Sequence, residues 1–333
     1  MARRVVVASM SPLPEALVKS LLAPYLSELR DVEVEVVGLH GKPRDVVLRE
    51  LERADIVIGD HTFRMRVDAE MCRAMRKVKL LQQPSTGYDH IDVDACREAG
   101  VPVANAGGAN AVSVAEWTIM AALALLKRLM EAHSRVRRGE WPQWELMDKG
   151  TFDLEGKTWG IVGMGRIGRE VARRLKAFNV NTIYYDVRRL DPSEEEELAA
   201  RFAQLPRLLR TSDIVSIHVP LTDETKGMIG ERELRMMKPT AILINPSRGE
   251  VVDEEALAKA LREGWIMGAA VDVYSVEPPP PDHPLLKLDH PNLITTPHIA
   301  GANTDARARI IEFSVRNIVR VIKGEKPEAI INM

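Results

Sequence analysis

Short apolar runs alternate with amphipathic stretches along the first third of the chain. Arg4–Ala8, Val32–Val37, Ile56–Ile58, Val78–Gln82 and Val101–Ala104 are runs of strand length rich in Val, Ile and Leu. Between them, Pro14–Leu29 places Leu17, Leu21, Leu22 and Leu26 on one helical face. Arg44–Ala54, Val67–Met75 and Asp94–Ala99 also carry helical spacing. Strands separated by helices of this length pair in parallel through right-handed crossovers, so a doubly wound sheet is expected first.

Asn105–Asn110 is glycine-rich and marks a boundary. Ser113 is expected to cap the next helix, with Glu116 as its capping-box partner. One helix then runs to about Arg138, apolar on several faces. Such a helix must be covered, either by crossing between domains or by a second subunit. Trp141 and Trp144 follow in an expected loop, as local packing or as an arm onto a partner.

Lys157–Asp186 organises the rest. Thr158–Val162 is a buried-strand run, and Gly163, Gly165 and Gly168 form G-x-G-x-x-G. Val171, Leu175 and Phe178 recur at helical spacing, and the strand Thr182–Tyr185 ends at Asp186. The glycines allow a tight turn, room for a pyrophosphate and close helix–strand packing. The helix N-terminus offers N–H groups to phosphate, and an acid about 20 residues on can accept ribose hydroxyls. Asp191–Ala200 is an acidic surface helix, Glu254–Glu263 a second helix and Thr304–Lys323 a closing one with Ile310, Phe313, Ile318 and Val321 inward. Further strands are expected at Ile214–Val219, Ala241–Ile244, Gly268–Val273 and Leu293–Thr296, and Pro278–Pro281 as a stiff surface turn. Thr86, Val219, Arg248, Asp272 and His298 follow directly on expected strand ends, where open α/β sheets bind ligands.

Composition narrows the picture. A chain of 333 residues, 45% hydrophobic, suits about two packed domains. A net charge of −2 gives no reason to expect nucleic acid. The run Trp117–Leu126 is too short to cross a bilayer, and the N-terminus enters a strand pattern directly, so no membrane association and a cytoplasmic location are expected. Cys72 and Cys96 read as buried small apolar residues in a reducing compartment rather than as a disulfide.

A dinucleotide site for hydride chemistry needs an anchor for an anionic substrate and a proton donor for the developing alkoxide. The planar fork of Arg248 suits the anchor. The imidazole of His298 suits the proton, and Glu277 would fix its tautomer and favour its protonated form if the two meet. His283, His290 and His298 lack the spacing of a metal ligand set, and no metal is expected.

GMGRIG at 163–168, HVPLTDET at 218–225, NPSRGEVVDEEAL at 245–257, DVYSVEP at 272–278 and TPHIAG at 296–301 resemble the D-isomer-specific 2-hydroxyacid dehydrogenases. STGYDHID at 85–92 and NAVSVAEW at 110–117 are similar to two earlier motifs of that family. The resemblance implies two doubly wound α/β domains: a flavodoxin-like substrate domain at 1–104 plus 302–333, and a Rossmann NAD-binding domain at 105–301. It implies a catalytic set of Arg248, Glu277 and His298. It places Thr86, Arg166, Ile167, Asp186, His218, Val219, Pro220, Pro246, Ser247, Asp272, His298 and Gly301 against the cofactor. Backbone amides of Ser85, Thr86 and Gly87 would hold the substrate carboxylate, and a homodimer through the cofactor domain is expected. Asn110 resembles the formate-binding asparagine of one branch, but that branch carries glutamine where this chain has Glu277. A small 2-keto or D-2-hydroxy acid is therefore expected as substrate, with formate or phosphite oxidation, or a non-catalytic NAD-sensing role, as alternatives. Arg188 and Arg189 follow Asp186, yet the carboxylate would repel a 2′-phosphate, so NAD is expected over NADP.

Overall fold

The computed structural model describes residues 3–26 and 31–333. The chain forms two compact units, one of residues up to Asn110 together with Thr304–Met333, the other Ala111–Asn303.

In the first unit, β1 (Arg3–Ser9), β2 (Val32–Gly38), β3 (Ile56–Ile58), β4 (Leu80–Gln82) and β5 (Val103–Ala104) form a parallel sheet in the order β2-β1-β3-β4-β5. The twofold side-chain period explains its two cores. Val5 and Val7 join Ile56, Leu80 and Leu22 of α1 (Glu15–Leu26), with Ile318 and Ile322 of the closing helix Thr304–Lys323. Val6 and Ala8 face the other way, against Leu51 of α2 (Arg44–Arg53) and Met71 and Cys72 of α3 (Ala69–Ala74). Residues 27–29 of the expected first helix lie outside the described residues.

Two expectations change in this unit. Val67 is not helical: it bridges Ile91, and α3 starts only after Asp68, whose carboxylate caps the N–H groups of Glu70 and Met71. Cys72 and Cys96 are both buried, as expected, but they are joined as a disulfide. Packing of α3 on α4 (Val93–Glu98) brings their Cα atoms to 4.9 Å, a separation a disulfide spans.

The second unit opens with α5 (Ala111–Leu126), α6 (Leu129–Arg137) and α7 (Gln143–Asp148). The single long helix is therefore broken. Arg128 takes a left-handed conformation (φ 48°), and its guanidinium donates to the carbonyls of Lys149 and Gly150. The N–H of Phe152 takes up the carbonyl of Leu126 at the end of α5. Neither glycine nor proline marks this break. Ser113 is not the cap, because α5 begins two residues earlier and buries Ser113 in its first turn. Trp144 lies on α7 rather than in a loop; Trp141 precedes it, and both are exposed.

The sheet that follows contains β6 (Thr158–Val162), β7 (Asn181–Tyr185), β8 (Ala200–Phe202), β9 (Ile214–Ile217), β10 (Ile242–Asn245), β11 (Gly268–Val271) and β12 (Leu293–Thr295). All pair in parallel in the order β12-β11-β10-β9-β6-β7-β8. The order reverses direction between β6 and β9, which creates the crevice where such sheets bind nucleotides. The expected acidic helix is α8's successor: α8 (Arg166–Leu175) follows β6, and α9 (Pro192–Leu198) ends just before β8, a strand the residue pattern did not reveal. The short helices α10 (Leu205–Thr211) and α11 (Glu231–Leu234) precede α12 (Glu254–Arg262). Among the described residues, no helix is long and apolar enough to cross a membrane.

Candidate active site

At the reversal point each glycine has a distinct cause. Gly163 adopts φ 96°, and a Cβ there would lie 2.8 Å from the backbone of His218, so β6 and β9 close tightly only around glycine. A Cβ on Gly168 would lie 2.2 Å from the carbonyl oxygen of Gly163, which fixes the packing of α8 on the turn. A Cβ on Gly165 would meet nothing within 4 Å. Gly165 thus faces open space where the N–H groups of Arg166 and Ile167 start α8. A diphosphate fits that cradle, with the helix N-terminus favouring its charge.

Asp186, at the end of β7, accepts from the N–H groups of Met164 (2.7 Å) and Arg188 (3.1 Å). It lines a cleft of about 430 Å³ with Met164, Gly165, Arg169, Arg188 and Arg189. Arg189 is held by both oxygens of Glu195 at 2.9 and 3.0 Å, and Glu195 also accepts from the Tyr184 hydroxyl. The side chain of His218 turns inward instead. Its Nε2 meets Ser216 Oγ at 3.0 Å, and that hydroxyl already accepts from Trp159 Nε1. Burial pushes this imidazole down to about 3, so it stays neutral. It is the backbone of His218 that borders the glycine turn.

The next strand ends carry the titrating groups. After β10, Asn245 builds a tight turn: its Oδ1 accepts from the N–H and hydroxyl of Ser247, and its Nδ2 donates to the carbonyl of Arg248. This turn fixes where Arg248 leaves the sheet, with Nη1 donating to the carbonyl of Ser247.

After β11, Asp272 is fully buried. Its carboxylate accepts from the hydroxyl of Thr296 and from the N–H groups of Ile299 and Ala300, the latter two at 2.8 Å. Its carbonyl accepts from the N–H of His298 at 2.7 Å. Burial pushes the Asp272 carboxyl above the usual range, against the pull of these donors. Asp272 thus grips the loop after β12 on both sides of His298, which takes a left-handed φ of 56°. A non-glycine residue holds that conformation only where its surroundings enforce it.

His298 Nδ1 lies 2.7 Å from Glu277 Oε2. The other carboxylate oxygen of Glu277 accepts from the N–H of Tyr274. Burial opposes ionisation of Glu277, but the hydrogen bond and charge of His298, the Tyr274 N–H and the charge of Arg248 together hold its carboxyl below the usual value. Both partners are partly open to solvent, with 42% and 38% of their side chains exposed. The structure therefore brings Glu277 and His298 together and sets Arg248 within electrostatic reach of the pair.

The first unit gathers the remaining expected residues. The Thr86 hydroxyl donates to Asn110 Oδ1 at 2.6 Å, and Asn105 Nδ2 donates to the carbonyl of Thr86. Ser85 Oγ donates to the carbonyl of Gly87, which folds the segment into a tight turn. Two polar residues that sequence reasoning did not single out are Glu254 and the buried His283, set aside because its spacing suits no metal. They form a second histidine–carboxylate contact in the nucleotide-binding unit, at 3.1 Å. The VDEEAL run around Glu254 was the available signal.

Known proteins share this fold. The sequence profile of the D-isomer specific 2-hydroxyacid dehydrogenase NAD binding domain matches residues 119–300. A glyoxylate reductase from Thermofilum pendens is 44% identical over 308 residues, covering 92% of this chain and 90% of that protein. A glyoxylate reductase from Paecilomyes thermophila superposes with a TM-score of 0.84 at 28% identity, covering 98% of each chain. An NAD-dependent formate dehydrogenase from Staphylococcus aureus, solved with NAD, gives 0.78 at 30% identity over 99% of each chain. With the glycine cradle at the sheet's reversal and most of the chain aligned to such relatives, the protein belongs to the D-isomer-specific 2-hydroxyacid dehydrogenases, a family of nicotinamide-dependent oxidoreductases.

Proposed function

We propose that the protein interconverts a small 2-keto acid, such as glyoxylate or hydroxypyruvate, and the corresponding 2-hydroxy acid (the D-isomer where the carbon is chiral), with Arg248, Glu277 and His298 carrying the chemistry. The observation that carries this reading is the 2.7 Å contact between His298 Nδ1 and Glu277 Oε2. With Nδ1–H held by a carboxylate, Nε2 is left to exchange a proton with the substrate oxygen. Glu277 thereby fixes the tautomer and the orientation of the ring that delivers the proton in carbonyl reduction. Arg248 anchors the substrate carboxylate and polarises the neighbouring carbonyl through its planar fork. A bound nicotinamide supplies or accepts the hydride.

Gly163, Gly165 and Gly168 cradle the diphosphate, with Arg166 and Ile167 presenting helix N–H groups. Asp186 takes the ribose hydroxyls, and His218, Val219, Pro220, Pro246, Ser247, Asp272, His298 and Gly301 line the remainder. The carboxylate of Asp186, and the engagement of Arg189 by Glu195, favour NAD over NADP. The exposed Trp141, Trp144, Met120, Leu129 and Met130 on the α5–α7 segment support a homodimer through this unit.

The test is a steady-state panel of 2-keto acids with NADH and NADPH. Arg248→Ala and His298→Ala are each expected to lower kcat/KM by ~10²–10⁴-fold. Near-native rates in either variant would remove that residue from its role.

A further inference from the structure

Glu254 occupies the first turn of α12, behind Asp253, whose side chain caps the helix at the N–H of Ala256. Its carboxylate is not spent on the helix. Oε1 accepts from the N–H of Ser275 at 3.0 Å, and Oε2 accepts from the Ser275 hydroxyl. The same Oε2 lies 3.1 Å from His283 Nε2, a contact set more by proximity than by alignment. His283 Nδ1 accepts from the N–H of Leu285, which leaves the ring proton on Nε2, toward Glu254. This imidazole and the ring of Tyr274 meet in a T-shaped contact, with centroids 5.5 Å apart at 90°. The contact is buried: 5% of the His283 side chain and 12% of Glu254 are exposed.

These contacts close a loop that carries Glu277. The segment from Asp272 to His283 leaves β11, passes Tyr274 and Ser275, carries Glu277 and returns at His283. Glu254 holds it at Ser275, and His283 closes it at the far end. Tyr274 supplies the N–H that orients the second oxygen of Glu277. Gly249, next to Arg248, lies flat on the same segment: a Cβ there would be 2.0 Å from the Tyr274 carbonyl carbon and 2.2 Å from Ser275 N. The Tyr274–Ser275 peptide is thus the joint where the turn bearing Arg248 and the loop bearing Glu277 touch, and Glu254 grips it.

We infer that Glu254, braced by His283, is a positioning residue that holds the Tyr274–Ser275 joint so that Glu277 and Arg248 keep their places relative to His298. Groups of this kind restrict the rotamers and backbone of the residues that touch substrate, and their loss typically costs ~10–100-fold in activity. The inference rests on the reductase reading for its kinetic consequence, but not for its geometry.

Two measurements on the full-length protein decide it. In Glu254→Ala, amide hydrogen exchange across residues 272–283 accelerates while the strands β6, β7 and β9 keep native protection, whatever substrate the enzyme accepts. In the 2-keto acid assay, Glu254→Ala lowers kcat by ~10–100-fold with NADH affinity retained. Glu254→Gln keeps an acceptor for Ser275 and recovers most of kcat; it also carries the exchange test should the alanine protein not fold. Native exchange in 272–283, or a fall in kcat matched by equal losses of NADH affinity and melting temperature, overturns the inference. Absence of turnover in the unaltered protein would instead defeat the reductase reading, with the exchange result still deciding the clamp.

Discussion

Two histidine–carboxylate contacts stand in the same unit, and they differ in burial. His298 and Glu277 are separated by 2.7 Å and remain roughly two-fifths exposed, while His283 and Glu254 are separated by 3.1 Å and are almost covered. The open pair has a ring nitrogen free to face a ligand. The covered pair spends its atoms on the backbone of Ser275 and Leu285 and on the ring of Tyr274. Under the proposed function the same two residue types serve proton exchange in one place and support in the other, and solvent access separates the two proposed roles.

The sharpest way to break this comparison is to remove each imidazole in turn. His298→Ala should lower kcat by ~10²–10⁴-fold, whereas His283→Gln should cost less than about tenfold, because Glu254 still grips Ser275. Equal losses in steady-state assays would erase the distinction.

A smaller effect is expected at the joint linking the two pairs. Gly249→Ala would drive a methyl group into the Tyr274–Ser275 backbone, and such overpacking costs ~1–3 kcal/mol. Urea unfolding should show the lowered midpoint; a native midpoint would mean that the joint yields freely. The smallest effect concerns acid stability. The Glu277 carboxyl is held below its usual 4.5, so the folded state binds this proton less readily than the unfolded chain. Its contribution is complete above about that value and fades as the pH falls through the lower folded value. Partial exposure limits it to less than about 1 kcal/mol. Unfolding of Glu277→Gln below pH 4.5 should show a correspondingly weaker acid dependence.

Much of this was legible in the residues themselves. Thr158–Val162, the three glycines and Asp186 announced a strand, a turn and the acid that closes the next strand, because each answers to a local steric or electrostatic need. The strand-end positions of Arg248, Asp272 and His298 followed from alternating strands and helices. What escaped depended on tertiary contacts. The break at Arg128 is made by carbonyls some 20 positions later, at Lys149 and Gly150. The Cys72–Cys96 link depends on how two short helices pack. The clamp at Glu254 joins a helix start to a loop 21 residues away, and no local pattern encodes that meeting.

The central claim is that the carboxylate of Glu277 holds the imidazole of His298 for proton delivery. The direct measurement is kcat for 2-keto acid reduction in the unaltered protein and in Glu277→Gln, with a primary deuterium isotope effect confirming that chemistry limits the rate. A fall in kcat of ~10–100-fold in Glu277→Gln, with NADH affinity retained, is the predicted result. An unchanged kcat would contradict it.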